Sequence, residues 1–438
     1  MIELSPGATL LVVFAAVLMT VMAGMRIGFS LMLIGVISLV VFPSRPLFLP
    51  MAETGWNVLN SFVLTAVPLF IFMGHILARG RISEELYGAT EKWLSGLPGG
   101  LANVNIVSSA IFAALSGSSL ATTAGIGSIA IPAMNERGYN PRLTYGSLGA
   151  GGTLGILIPP SIPMILYGFI ANVSIGSLFL AGVVPGILMA LAFMAFITGW
   201  TLKSPSIVPA LDHAPSWTER LLVLRDAAPA LMLVILVLGS IYAGIATPTE
   251  AAALGAFGAL LITIFKRRFS WRGFKDNLRD TALTMGMIGL IMQGAMMIAW
   301  TFHVLQVPNQ LTETIAASGL NRYVVLGVIV LLLYVLGCFI DGISILLILT
   351  PVLVPVMAAF GFDLVWFGII LVVSIEVSLL TPPVGMNLFI LKGIAPDASM
   401  EDIIMGALPY VVILTLGIVV LTIWPSLALW LPELAKRN

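Results

Sequence analysis

Two short strings of oxygen-bearing residues and two proline pairs stand out in a chain otherwise poor in polar groups. Ser116-Gly117-Ser118-Ser119 offers three hydroxyls around a glycine, and Asp341-Gly342 a carboxylate beside one. Pro159-Pro160 and Pro382-Pro383 each remove two successive backbone donors, so a helix running through them breaks and leaves carbonyl oxygens without partners. Carbonyl, hydroxyl and carboxylate oxygens are the ligands a hard cation takes. The helix N-termini beside such interruptions present free amides and a positive dipole end, which suit a carboxylate. Donors for a cation and for an anion therefore come together twice.

Other ionisable residues in apolar surroundings are few. Glu376 lies six residues before Pro382-Pro383 among Val, Ser and Leu. A carboxylate there is costly enough that a role is expected, either in cation or proton coupling or in hydrogen bonding to nearby backbone. Glu250, in TPTEAAALGAFG, follows Thr247-Pro248-Thr249 at a helix start, where it reads as structural. His75, His213 and His303 are far apart and the one cysteine, Cys338, adds nothing to them, so no transition-metal site is expected. Cys338 excludes an internal disulfide and reads as a small buried hydrophobe.

These groups sit in a chain of 438 residues that is 59% hydrophobic and 9% charged, with a mean hydropathy of +1.09. Such a composition belongs in lipid. Apolar stretches near the ~20 residues needed to cross a bilayer recur throughout, leaving no room for a soluble domain. The first, over 8–25, follows Glu3 without a basic leader or a clear cleavage site and reads as a helix rather than a signal peptide. The formal net charge of zero points to no nucleic-acid partner.

The sizeable polar segment 203–225, with Asp212, His213, Glu219, Arg220 and Arg225, lies near the middle. It divides the chain into two similar halves. A shift of 223 positions carries Pro159-Pro160 onto Pro382-Pro383, Pro132 onto Pro355, Gly138 onto Gly361, Gly35 onto Gly258 and Thr153 onto Glu376. One position more carries Gly182 and Pro185 onto Gly406 and Pro409. The predicted first repeat spans 1–202, with outer helices within 8–78, a hairpin over 99–136, a broken helix over 142–172 and a helix over 178–202. The second spans 226–432, with outer helices within 226–302, a hairpin over 321–358, a broken helix over 363–395 and a helix over 403–432.

Arms of about 14 residues around Ser116–Ser119 are too short to cross the membrane, which predicts a re-entrant hairpin. Around Asp341-Gly342 a second hairpin is expected, with a full crossing by 323–339 as the alternative. With both hairpins re-entrant, each half crosses an odd number of times and the second copy is inverted. The basic run Lys266, Arg267, Arg268, Arg272, Lys275 and Arg279 then belongs to the cytoplasm, with the 203–225 linker, and both termini to the periplasm. Of the 20 basic residues only Arg45, Arg322, Lys436 and Arg437 fall on the outside.

Taken singly, a Pro-Pro pair is a kink and Ser-Gly-Ser-Ser a small packing face. Their matched recurrence instead suits a secondary transporter whose site lies at a repeat interface. No GxxxxGK[ST] nucleotide loop is present, and no His or Lys lies near Ser118 or Ser119 in sequence to activate a hydrolase. A channel needs a continuous pore, which paired hairpins would block.

The strings VPLFIFMG at Val67, FAALSGSSLATTAGIGSIAIPAM at Phe112, GGTLGILIPPSIPMILYG at Gly151, ATPTEAAALGAFG at Ala246, FIDGISILLILTPVLVP at Phe339 and LLTPPVGMNLFILKG at Leu379 span nearly the whole chain. In them the chain resembles the large membrane subunit of tripartite ATP-independent periplasmic (TRAP) transporters. One departure is Ser378, where that family's string is expected to carry glycine. The resemblance implies an all-α polytopic, inverted-repeat elevator-type ion-transporter fold in a bacterial inner membrane. It also implies Na⁺-coupled import of an organic acid such as sialic acid or a C4-dicarboxylate.

By position, one Na⁺ site would involve Ser116, Ser118, Ser119, Gly152 and Thr153, and a second Asp341, Gly342, Thr381, Gly385 and Asn387. The carboxylate substrate is expected against Ser119, Pro159, Pro160, Ser161, Pro382 and Pro383. At least two Na⁺ ions and no organic cofactor are expected. The implied partners are a small four-helix membrane subunit, a periplasmic solute-binding protein and membrane lipid. A stand-alone anion symporter and an intramembrane enzyme are the alternative readings.

Overall fold

The computed structural model describes residues 5–42, 49–209 and 215–437, and every regular element in them is helical. Arg45 and the linker residues Asp212 and His213 lie outside the described residues. Among the described residues, seven helical stretches are long and apolar enough to cross a bilayer. An eighth is added if Val63–Arg79 and Ile82–Leu94, bent by 69° at Gly80-Arg81, form one span. With apolar surface such as Met232, Ile235, Val412 and Leu416 left exposed, the chain is a multi-pass membrane protein.

Several predicted bounds move, each for a local reason. The helix expected from 226 begins at Trp217, inside the polar linker, because Ser216 and Glu219 close a reciprocal capping box that starts it early. The helix expected over 281–302 runs from Trp271 to Val304, so the second part of the basic run is helical. The segment expected as one helix over 403–432 is two, Met400–Ile423 and Ser426–Arg437. Pro425 disfavours helical backbone at the residue before it, and Trp424 leaves the helix at φ −123°, ψ 76°.

Glycines let the long helices approach closely. Ile27–Val41 lies along Trp271–Val304, where a Cβ on Gly35 would fall 2.9 Å from the Gly294 carbonyl oxygen. Ala66–Arg79 packs on Pro248–Phe265, where a Cβ on Gly255 would fall 2.6 Å from Met73 Sδ. At the bend that follows, Arg81 takes a left-handed φ of 57° and Ile82–Leu94 turns its Leu86 and Tyr87 inward. Glu85 fastens it, accepting from Lys266 at 2.6 Å and Arg268 at 2.8 Å, while Arg79 pairs with Asp276 and Asp280.

Burial separates inner from outer helices. The apolar window of the broken pair within Pro141–Ala171 is 83% buried, against 22% for that of Trp217–Tyr242. Pro141–Leu157 is sheathed by Leu101–Ser116, Ser119–Glu136 and Met400–Ile423. Its crossing with the last is glycine on glycine, since a Cβ on Gly146 would overlap the Gly406 carbonyl. Arg142, donating to Asp402 at 2.8 Å, ties the ends of the two helices together.

Candidate functional site

Leu101–Ser116 stops at Gly117, whose φ of 61° places it in the left-handed region. Ser118 is extended and caps the next helix, Ser119–Glu136, its hydroxyl accepting from the Ala121 amide at 3.3 Å. Glycine is required here on two counts. Besides the positive φ, a Cβ on Gly117 would lie 2.8 Å from the Pro160 carbonyl oxygen. The turn is pinned to the proline pair directly, because the Ile162 amide donates to the Gly117 carbonyl at 3.2 Å.

The first break, between Leu157 and Ile162, is buried at Pro159, Pro160 and Ser161. Its Pro159-Pro160 peptide is cis. Ser161 spans the break, donating to the Ile156 carbonyl at 2.6 Å and accepting from the Met164 amide at 3.4 Å. The second break lies between Leu379 and Met386, with Pro382-Pro383 again cis and Gly385 left-handed at φ 56°. Here Pro383 and Val384 are exposed. The two breaks therefore differ in access, the first sealed and the second open to one side.

The expected first set comes together, with changes in membership. Ser116 Oγ and Thr122 Oγ1 are 2.8 Å apart. A Cβ on Gly155 would approach the Ser118 carbonyl oxygen to 2.5 Å and Thr122 Oγ1 to 2.7 Å. A Cβ on Gly152 would overlap Thr123 Oγ1 and lie 3.4 Å from Asn387 Nδ2. Asn387, expected with the second set, lies against the first. Its Nδ2 donates to Ser119 Oγ at 2.8 Å, and its Oδ1 sits 3.2 Å from the same hydroxyl. Thr153 stands in the same helix but spends its hydroxyl on the Ala150 carbonyl at 2.6 Å.

Three members of this cluster are not among the expected site residues: Thr122, Thr123 and Gly155. Thr123 Oγ1 is buried without a hydrogen-bond partner, leaving an oxygen available to a ligand. The Thr-Thr pair four residues beyond Ser118-Ser119, at helical spacing, was the signal that could have found it.

The second set is looser. Asp341 caps Gly342–Ala359, accepting from the Ser344 amide at 3.0 Å and from the Ser344 hydroxyl. Its carboxylate is thus committed to its own helix. Gly342 abuts Ile375, and Thr381 donates to the Val377 carbonyl at 2.6 Å. Among the described residues no hydrogen bond joins the Asp341-Gly342 turn to the second break.

Ser378 is accommodated by a gap opposite. A Cβ on Gly337 would overlap the Ser378 side chain, whose hydroxyl turns back onto the Ile375 carbonyl at 2.6 Å. Glu250 completes a capping box with Thr247, accepting from its amide and its hydroxyl, both at 2.8 Å. Among the described residues no group of three or more His, Cys, Asp or Glu converges as a metal site would require.

Interrupted helices meeting inside a multi-pass bundle define a transporter-like membrane protein. The chain belongs to the family described as tripartite ATP-independent periplasmic transporter, DctM component, which it matches over residues 11–427. It is 33% identical over 413 residues to the sialic acid TRAP transporter large permease protein SiaM of Vibrio cholerae, covering 94% of this chain and 96% of that one. It is 35% identical over 420 residues to the isethionate TRAP transporter permease protein DctMQ of Oleidesulfovibrio alaskensis, where 96% of this chain spans 66% of the relative. Both relatives are named as transporter permeases, not enzymes. In fold it is similar to the YdaH transporter of Alcanivorax borkumensis, with a TM-score of 0.63 at 17% identity over 88% of each chain.

Proposed function

We propose that this chain is the large membrane subunit of a bacterial inner-membrane importer that couples Na⁺ entry to uptake of an organic acid. A periplasmic binding protein delivers the solute, and a small four-helix membrane subunit completes the scaffold. The names of the relatives, a sialic acid and an isethionate permease, favour a small organic anion. The halves are read as inverted repeats with both hairpins re-entrant and both termini periplasmic. The hairpins and broken helices form a moving elevator domain, and the outer helices a fixed frame.

The observation that carries this reading is the cluster where the first turn meets both halves of the chain. Ser116, Ser118 and Ser119 from the turn, Thr123 one turn on, Gly152 beside it and Asn387 after the second break supply only neutral oxygen and amide groups. Such a set fits a dehydrated monovalent cation, and the unpartnered Thr123 hydroxyl is a free donor oxygen within it. The amides at the start of Ser119–Glu136 and Ile162–Ala171 then suit the solute carboxylate, and Asn387 holds the turn ready for it. A second Na⁺ is assigned to the Asp341–Gly342 turn with Thr381 and Gly385, beside a break whose Pro383 and Val384 are exposed. Uptake into vesicles holding the complete transporter, driven by an imposed Na⁺ gradient, tests the coupling. Equal uptake without Na⁺ overturns it.

A further inference from the structure

Among the described residues Glu376 is the one buried acidic side chain, and neither carboxylate oxygen has a hydrogen-bond partner. It lies in Leu364–Leu379, where every residue from Trp366 to Leu379 is buried. Several other carboxylates among the described residues are engaged. Asp341 and Asp363 cap helices, Glu85 and Asp402 are paired with basic groups, and Glu250 closes a capping box. A buried carboxyl with no internal partner requires a proton or a cation from outside.

Among the described residues no basic group pairs with it. On the elements packed against this helix, Arg142 is held by Asp402, and Lys392 by the Pro396 and Ala398 carbonyls. Arg322 is held by the Tyr323 hydroxyl, and Lys203 ends the long helix Ile175–Lys203. The nearby phenols Tyr167 and Tyr334 bond to the Leu364 carbonyl and Thr415, while Tyr410 is buried without a partner. One turn beyond Glu376, Leu380 lies 3.1 Å from where a Cβ on Gly149 would stand. The end of the helix that carries Glu376 is thus packed against the first broken helix. At the matching position the first half carries Thr153, whose hydroxyl is self-satisfied.

We propose that Glu376 is the ligand of a further transported cation, Na⁺ or H⁺, held ahead of the second break and separate from the two hairpin-turn sites. The inference rests on reading the chain as a cation-coupled importer. It makes the two halves unequal, with the second half alone contributing a charged ligand.

Infrared difference spectroscopy on the purified full chain, labelled with ¹³C-glutamate, tests the binding step without transport. Exchange of choline for Na⁺ at fixed pH, and a change of pH in choline, are applied separately. A glutamate carboxyl band that responds to Na⁺ assigns a Na⁺ ligand, and one that responds to pH alone assigns a proton carrier. No response to either overturns the proposal. Because every glutamate carries the label, the band is assigned to Glu376 by its loss in Glu376→Gln, or in Glu376→Ala where the first variant does not fold, and a response that both variants retain overturns the proposal. In vesicles of the complete transporter, Glu376→Gln is expected to move one positive charge fewer per solute, and an unchanged charge per solute overturns the proposal. Loss of the broader Na⁺-coupling reading would appear differently, as wild-type uptake indifferent to Na⁺.

Discussion

Ser119 and Asn387, 268 positions apart, meet side chain to side chain: Asn387 Nδ2 donates to Ser119 Oγ at 2.8 Å. Both are buried. The contact joins the turn of the first helical pair to the helix that restarts after Pro382-Pro383. Asn387→Ala leaves the Ser119 hydroxyl buried without this partner, at a cost of about 1–3 kcal/mol. The expected result is a lowered unfolding temperature, together with a fall of about tenfold or more in solute uptake by the reconstituted transporter. Retained wild-type uptake would remove this contact from the site.

Gly152 governs the same cluster from the facing helix. A methyl group there overlaps Thr123 Oγ1 and presses on Asn387, so the arm Ser119–Glu136 must shift outward. Gly152→Ala is expected to weaken Na⁺ dependence before it weakens folding, raising the Na⁺ concentration for half-maximal uptake several-fold. Gly199→Ala, where nothing lies within 4 Å of the added methyl, is the control and should leave uptake unchanged.

What could be read ahead of the structure follows from how local each cause is. Pro159-Pro160 and Pro382-Pro383 announce their breaks because a missing amide acts on its own helix, and Gly117 announces a turn for a similar reason. The cost of leaving apolar helices in water made the membrane class plain from composition. The family resemblance places Asn387 with Thr381 and Gly385, yet its partner comes from the other half. Thr123 and Thr153 are alike in sequence as helical alcohols, and only the fold shows that Thr153 bonds to its own backbone while Thr123 is left without a partner. The join at Trp424-Pro425 was hidden by apolar residues on either side, although the proline itself was visible.

The bend at Gly80-Arg81 depends on charge at one point. Glu85 accepts from Lys266 and Arg268, with side-chain exposures of 15%, 18% and 35%. Glu85→Ala leaves two basic groups facing each other in a half-buried setting, and a loss of about 2 kcal/mol is expected, read as a drop in thermal unfolding temperature in detergent. Glu84 pairs with Arg81 at exposures of 44% and 69%, and its removal is expected to change that temperature little. Equal effects at both positions would mean that the Glu85 pairs contribute no more than surface charges do.

Gly337 and Ser378 offer a test that separates packing from loss of fold. Each lies on a different helix, Arg322–Gly337 and Leu364–Leu379, and the serine side chain occupies the volume that a Cβ on Gly337 would take. Gly337→Ala therefore forces the helices apart, at a cost of about 1–3 kcal/mol for an overpacked contact. Ser378→Gly opens space instead and gives up a hydroxyl bonded only to the Ile375 carbonyl, so its cost is smaller. In the double variant the methyl enters the space the serine has left, and stability should return to within about 0.5 kcal/mol of the Ser378→Gly single variant. Additive losses in the thermal unfolding of the four proteins would show that the two side chains do not share that space. The cycle bears on function as well, because this contact holds the Asp341-Gly342 turn against the helix that carries Glu376. A rescued fold with unrescued uptake would mean that the spacing of that turn, and not only its stability, is part of the transport cycle.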